Sequence, residues 1–440
     1  MAFLSHKALY IIEKLNGCGF EAFAVGGCVR DMLMQTAAHD CDITTNALTD
    51  DILRVFAEHK TLDTGIKHGT VTVILDGEPF EVTTYRLEST YSDNRHPDSV
   101  VFTGRLEDDL ARRDFTVNSI AYNPSAGLID PFGGREDIAK GIIRCVGDAK
   151  KRFEEDSLRI LRGLRFASVL GFEIEKKTAE AMHSCRHLIK NLSAERIFAE
   201  LSKLLCGKNV KAVLTAYPDV FGEFIPEILM MDGFNQHNFH HIYDVLTHTA
   251  TVVESTPPTV RLRLAALFHD SAKPYCFSLD ENGVGHFYGH ATESAEIARK
   301  RLTELRCDTK TKEAVIRLIK AHDAPIEESE KIIRRRLASL GKELFYDLIS
   351  LKRADTAGLA PEYAKRYSHF DRLEEIAQEL LEREDCFSLR RLAVNGHDLT
   401  ALGFRGREIG ERLNFLLEAV MDGKCENEKA LLLEHLKNYR

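Results

Sequence analysis

Two aspartates at alternate positions, Asp40 and Asp42, stand directly ahead of the run Ile43-Thr44-Thr45. Alternate residues on an extended strand face the same side, so both carboxylates can hold the same metal ions. Upstream, Gly26-Gly27 ends the apolar run Phe23-Ala24-Val25 and is soon followed by Arg30 and Asp31. A glycine turn lets a ligand come close to the backbone, and a helix starting there offers free N–H groups to a phosphate. A lone glycine pair is usually a turn, and a lone Asp-x-Asp is usually a solvated loop. All four features at this short spacing favour chemistry, with a triphosphate and magnesium bound side by side.

The surrounding pattern names the elements that must hold these groups. Residues 23–25 read as a strand, residues 28–35 as the start of a helix, and Asp40 and Asp42 as the entry to a second strand. An amphipathic helix over residues 5–18 precedes them, and a helix over residues 50–59 follows. Residues 70–75 and 80–84 alternate like strands, with Asp76-Gly77 as the hairpin turn and Glu81 between apolar neighbours. Residues 85–101 are polar and without period, which predicts a mobile loop. From residue 153 the period is helical. Asp156, Arg159, Arg162 and Arg165 recur every third residue and so fall on one helix face, with Leu158, Leu161 and Leu164 as the buried stripe. Further on stand His240-His241, His248, His269-Asp270, His290 and His322-Asp323.

Composition bounds the rest. A chain of 440 residues predicts several domains, and 44% hydrophobic residues are ample for packed cores. The net charge of −9 has the wrong sign for a generic nucleic-acid binder, so any such binding needs a local basic surface, for which Lys150-Lys151-Arg152 and residues 331–336 (KIIRRR) are candidates. Ten cysteines with no CxxC pair predict reduced thiols in a cytoplasmic protein and argue against structural zinc. The charged, helical N-terminus does not read as a signal peptide, and no run is apolar and long enough to span a membrane.

GGCVRD followed by DCDITT resembles the nucleotidyltransferase superfamily that includes DNA polymerase β. With the following Asn46-Ala47 it is similar, more narrowly, to the class II tRNA nucleotidyltransferases (CCA-adding enzymes) and the bacterial poly(A) polymerases. LARRDFTVNSIA is close to that family's RRDFTxNA motif, and EDSLRILRGLRF matches its EDxxRxxR motif. LAALFHDSAKP resembles the HD domain, and residues 392–409 look like the tail of the same enzymes.

The resemblance implies an α+β protein. A polymerase-β-like palm with a mixed sheet (residues 1–146) would precede an all-α neck (147–230), a body with the HD segment (231–330) and a tRNA-binding tail (331–440). It implies two Mg2+ ions on Asp40 and Asp42. Glu81 would be the third carboxylate, although an outward-facing glutamate on an edge strand fits it nearly as well. Gly27, Arg30 and Arg113 would hold the triphosphate and Asp114 the sugar. Asp156 and Arg159 would read the base, with Arg162 and Arg165 in support. In the HD segment a further divalent metal would sit on His248, His269, Asp270, His290 and Asp323; a non-catalytic HD fold that keeps these residues for packing fits too. The expected partners are tRNA, CTP and ATP, with no DNA and no membrane. Competing readings are a poly(A) polymerase, an enzyme adding only CC or only A, and an HD phosphohydrolase whose first domain merely binds nucleotide or RNA.

Overall fold

The computed structural model describes residues 4–37, 40–63, 65–88, 100–383 and 389–439. The chain divides into two compact units, residues 1–229 and 230–440.

The first unit opens with α1 (His6–Gly17), capped by the Ser5 side chain and burying Ala8, Ile11, Ile12 and Leu15 along one stripe. The sheet strands are β1 (Ala22–Val25), β2 (Asp42–Thr45), β3 (Lys60–Leu62), β4 (Thr70–Leu75) and β5 (Glu78–Thr84). After the separate pair β6 (Arg86–Glu88) and β7 (Val100–Phe102), β8 (Ala121–Asn123) and β9 (Gly127–Ile129) complete it. The sheet runs β3-β4-β5-β2-β1-β8-β9. It is mixed, because β2 pairs parallel to β5 while its other pairs are antiparallel.

β1 is buried on both faces. Ala22 and Ala24 join the core under α1, α2 (Gly27–Leu33) and α3 (Thr49–Val55). Phe23 and Val25 join a second cluster with Leu106 and Leu110 of α4 (Leu106–Ala111). In the β4–β5 turn Asp76 (φ 49°) and Gly77 (φ 82°) both take left-handed φ, as a tight hairpin requires.

The expected loop over residues 85–101 folds at both ends. Tyr85 is fully buried, and β6 pairs with β7 from Arg86–Phe102 to Glu88–Val100; residues 89–99 lie outside the described residues. After α5 (Gly134–Lys140) come α6 (Ala149–Glu155), α7 (Leu158–Leu170), α8 (Lys176–Cys185) and α9 (Ala194–Leu205), with α7 packed on α9.

The second unit is helical apart from a small hairpin, Ser278–Leu279 with Gly285–His286. The helix Val260–Phe268 is buried nearly all round. Around it pack Val245–Ser255, Thr309–His322 and Lys342–Ala357, with His290–Glu304 alongside. A separate core near the C-terminus joins Leu392, Val394, Leu399, Leu416 and Leu432. Among the described residues, no helix is long and apolar enough to cross a membrane.

Candidate active site

Register places the carboxylates. Ile43 of β2 is level with Val82 of β5, and both side chains enter the helix-covered core. Asp42 and Glu81, one residue earlier on these parallel strands, therefore face the opposite side of the sheet. Asp40 lies just before β2, in the same exposed run. Partial burial raises the Glu81 carboxyl above the usual range, and the charges of Asp42 and Asp40 push it further. Partial desolvation by surrounding atoms and the Asp40 charge likewise raise the surface-exposed Asp42, although Arg113 and Arg162 pull it down. Three oxygen donors that repel one another fit a hard divalent cation.

The cations come from three elements. Gly26 turns with φ 77° and ψ −135° into α2. A Cβ there would lie 3.1 Å from an Arg113 guanidinium nitrogen and 3.9 Å from an Asp42 oxygen, so this position is glycine for space as well as for conformation. Arg113 is anchored below the sheet by the fully buried Asp109 (3.5 Å), which also accepts hydrogen bonds from Arg112 and Thr44. The buried Nε of Arg113 has no hydrogen-bond partner among the described residues.

Arg30 donates to Asp31 through two nitrogens (2.9 and 2.7 Å) and to Asn118 Oδ1 (2.8 Å). Asn118 in turn donates to Asp114, whose other oxygen receives Arg162 (2.7 Å). This relay ties α2 to α7 through the short turn Thr116–Asn118. Burial pushes the Asp114 carboxyl upward, but Arg162, Asn118 and Arg159 outweigh it and hold it at about 2. Phe166 underlies the group, with Arg165, Arg30 and Arg162 at 4.0, 5.3 and 5.6 Å from its ring centre.

The expectation of one continuous helix carrying Asp156 and Arg159 is corrected. α6 ends at Glu155, and Asp156 is extended (φ −139°, ψ 103°) before α7 begins at Leu158. Its carboxylate caps the new helix by accepting from the Leu158 N–H (3.1 Å) and meets Arg196 of α9 at 3.4 Å. Arg159 turns instead to Glu155 (2.7 Å) and the Arg112 carbonyl (3.0 Å). Arg165 pairs with Glu200 of α9 at 2.6 Å. Leu158, Leu161 and Leu164 are buried as expected. Sequence reasoning missed Asn118, Arg196 and Glu200. Asn118 lay inside a motif already singled out; the other two carry no local signal.

In the second unit His248, His269, Asp270, His290 and His322 converge, and all are buried. Two groups of three donors could each hold an ion: His248 with His269 and Asp270, and Asp270 with His290 and His322. Asp323 ends the helix Thr309–His322 and lines the same cavity of about 680 Å³, but the carboxylate against His248 (3.0 Å) is Asp355, which the sequence reading did not name. His269 and Lys273 hold Asp270 well below the usual carboxylate range in spite of its burial.

Three family models match the chain: the poly A polymerase head domain over residues 22–144, a probable RNA and SrmB-binding site of polymerase A over 171–216, and a putative tRNA nucleotidyltransferase domain 2 over 287–436. A CCA-adding enzyme of Streptococcus thermophilus is 34% identical over 438 residues, spanning 97% of this chain and 95% of the relative. The chain belongs to the CCA-adding enzyme family. A second member, from Enterococcus faecalis, is 31% identical over 99% of this chain and 96% of its own. The crystal structure of the Bacillus stearothermophilus CCA-adding enzyme in complex with CTP superposes with a TM-score of 0.73 at 31% identity, covering 98% of this chain and 97% of that one. CCA-adding enzymes are nucleotidyltransferases, and the α+β fold with a mixed N-terminal sheet is theirs. The family's head match spans the carboxylates, Arg30, Arg113 and Asp114; its RNA-binding match contains Arg196.

Proposed function

We propose that this CCA-adding enzyme adds CMP, CMP and AMP to the 3′ end of tRNA, using CTP and ATP, and that the reaction runs at the exposed carboxylates of β2 and β5, on the side of the sheet away from α1, α2 and α3. The observation that carries this is the placement of Asp42 beside Glu81 on parallel strands, with Arg113 packed against Gly26. Relatives support the substrates, since structures of other CCA-adding enzymes are described with CTP, with ATP and with tRNA.

Asp40 and Asp42, with Glu81 beside them, would hold two divalent ions, Mg2+ by their all-oxygen donor set. When bound, such ions activate the attacking 3′-hydroxyl and stabilise the leaving pyrophosphate. Gly27 at the start of α2 offers its backbone to the triphosphate, and Arg30 and Arg113 supply positive charge. Asp114, fixed by Asn118 and Arg162, orients the sugar.

Asp156 and Arg159 read the base, with Arg162 and Arg165 in support. Cytosine and adenine each show an amino donor beside a ring-nitrogen acceptor, whereas uracil and guanine show the reverse. A carboxylate acceptor and a guanidinium donor therefore favour C and A. The break at Asp156 supports this role, because there the Leu158 N–H and Arg196 hold the carboxylate in one fixed orientation. We retain the four functional segments at residues 1–146, 147–230, 231–330 and 331–440. We place the work in the cytoplasm, where tRNA and both triphosphates are available. The histidine cluster of the second unit we read as a further divalent-metal site.

Incubating the protein with tRNA lacking CCA and labelled CTP and ATP tests the main reading. Three added nucleotides ending in A are expected. A long A tail, or addition of only C or only A, would replace the reading with one of the narrower activities.

A further inference from the structure

Asp109, in α4, is a fully buried carboxylate beneath the catalytic side of the sheet. Its two oxygens serve different partners. Oδ1 accepts from Arg112 Nε (2.9 Å) and Nη2 (2.8 Å). Oδ2 accepts from the Thr44 hydroxyl (3.1 Å) and meets Arg113 Nη2 at 3.5 Å. Thr44 stands two residues beyond Asp42 on β2, so both side chains point to the same side of the sheet. Burial pushes the Asp109 carboxyl upward, but Arg112 and Arg113 outweigh it and leave it below the usual range. An anion is thus kept in a place where, unpaired, it would be costly.

The two arginines lead from Asp109 in two directions. Arg113 turns Nη2 to Asp109 while its Nη1 stands over the Gly26 turn, where a Cβ would meet it at 3.1 Å. A guanidinium is a rigid planar fork, so holding one end aims the other. Arg112, held by its own side chain, presents its backbone carbonyl to Arg159 Nη2 (3.0 Å). The Ala111 carbonyl beside it accepts from Arg152 Nη2 (2.7 Å), and Arg152 and Arg159 share Glu155 at 2.8 and 2.7 Å. One carboxylate against two guanidinium groups also leaves one positive charge over, and Arg113 carries it towards Asp42.

We propose that Asp109 is a positioning residue for nucleotide addition, aiming the Arg113 guanidinium at the triphosphate and, through the Arg112 backbone, the Arg159 guanidinium at the base. This rests on Arg113 holding the triphosphate and Arg159 reading the base. It goes beyond them in making one buried side chain, which touches neither nucleotide nor metal, set both. Phosphate placement and base choice are then linked through α4.

The two arms are tested separately, in single-turnover addition to tRNA lacking its 3′ end. Asp109→Asn is isosteric. Its amide oxygen can keep the Arg112 pair and its NH2 group can donate to the Thr44 hydroxyl, but it turns a donor towards the Arg113 donor. The rate at saturating CTP or ATP should fall about 10- to 100-fold, the scale of a misplaced contact group. In an Arg113→Ala background the same change should cost little more, because the two residues act as one unit. Arg113→Lys alters no buried carboxylate. It keeps the charge but not the fork, and should lose about as much as Asp109→Asn. On the other arm, Arg112→Ala should narrow the preference for CTP over UTP by about 10-fold.

A role through charge alone predicts the opposite for Asp109→Asn, since losing an anion makes the site more positive: KM for the nucleotide falls and the rate stays. That result overturns the inference, as does a lowered urea midpoint with rate and preference both at parent values. A slowed Arg113→Ala beside Arg113→Lys at the parent rate also overturns it, leaving the triphosphate reading intact. Arg113→Ala at the parent rate overturns that reading and the inference with it. An unchanged preference in Arg112→Ala beside a narrowed one in Arg159→Ala overturns the base arm; unchanged preferences in both overturn the base reading itself.

Discussion

Asp42 and Asp114 do different work within one small region. Asp42 is raised by partial desolvation and by Asp40, as expected of a group that binds a cation. Asp42→Ala should abolish both CMP and AMP addition and leave tRNA binding largely intact, which single-turnover assays and filter binding would show together. Asp114 is held at about 2 against an ordinary 3.8. A depressed carboxyl contributes stability above its unfolded value and loses it as pH falls through the folded one. The contribution is about 2 kcal/mol, present above pH ~4 and gone near pH ~2. The stability gap between the protein and Asp114→Asn should therefore be widest at neutral pH and narrow towards pH ~2, as urea midpoints across that range would reveal. A constant gap would mean that the Arg162 pair is not what holds the carboxyl down.

The elements position these groups through close approaches that admit little change. A Cβ on Gly134 would meet the Thr116 carbonyl at 2.1 Å, and Thr116 begins the turn that carries Asn118. Overpacking of this kind costs about 1–3 kcal/mol. Gly134→Ala should therefore lower the melting temperature. It should also raise KM for both nucleotides, because Asn118 joins Arg30 to Asp114. Much of this level was legible in the chain. The strand, glycine turn and second strand around Asp42, and the Asp76-Gly77 hairpin, follow from period and turn chemistry. The break at Asp156 was hidden because α6 and α7 keep one arginine spacing across it. The signal was there in Asp156-Ser157, helix-starting residue types inside a helical run. Asp355 and Arg196 could not be found this way, since each meets its partner only through tertiary packing.

At the scale of the whole molecule, the chain carries two chemically distinct clusters in two units, oxygen donors in one and mainly imidazoles in the other. If they work separately, His269→Ala with Asp270→Ala should leave nucleotide addition to tRNA within about two-fold of the parent while abolishing metal binding in the second unit. Since a bound ligand stabilises the folded state by mass action, saturating Mn2+ should raise the parent's melting temperature more than the double variant's. Equal shifts would place the stabilising ions elsewhere.

Three guanidinium groups lean on the single ring of Phe166, one from α2 and two from α7. The consequence concerns ancestry. A lineage that exchanges this ring for an aliphatic side chain takes a ring contact from three cations in one step, leaving each to its own carboxylate, Asp31, Asp114 or Glu200. These four positions should pass between generations as a block, changing together or not at all. Val169, three residues along the same helix and 41% exposed, is free to drift.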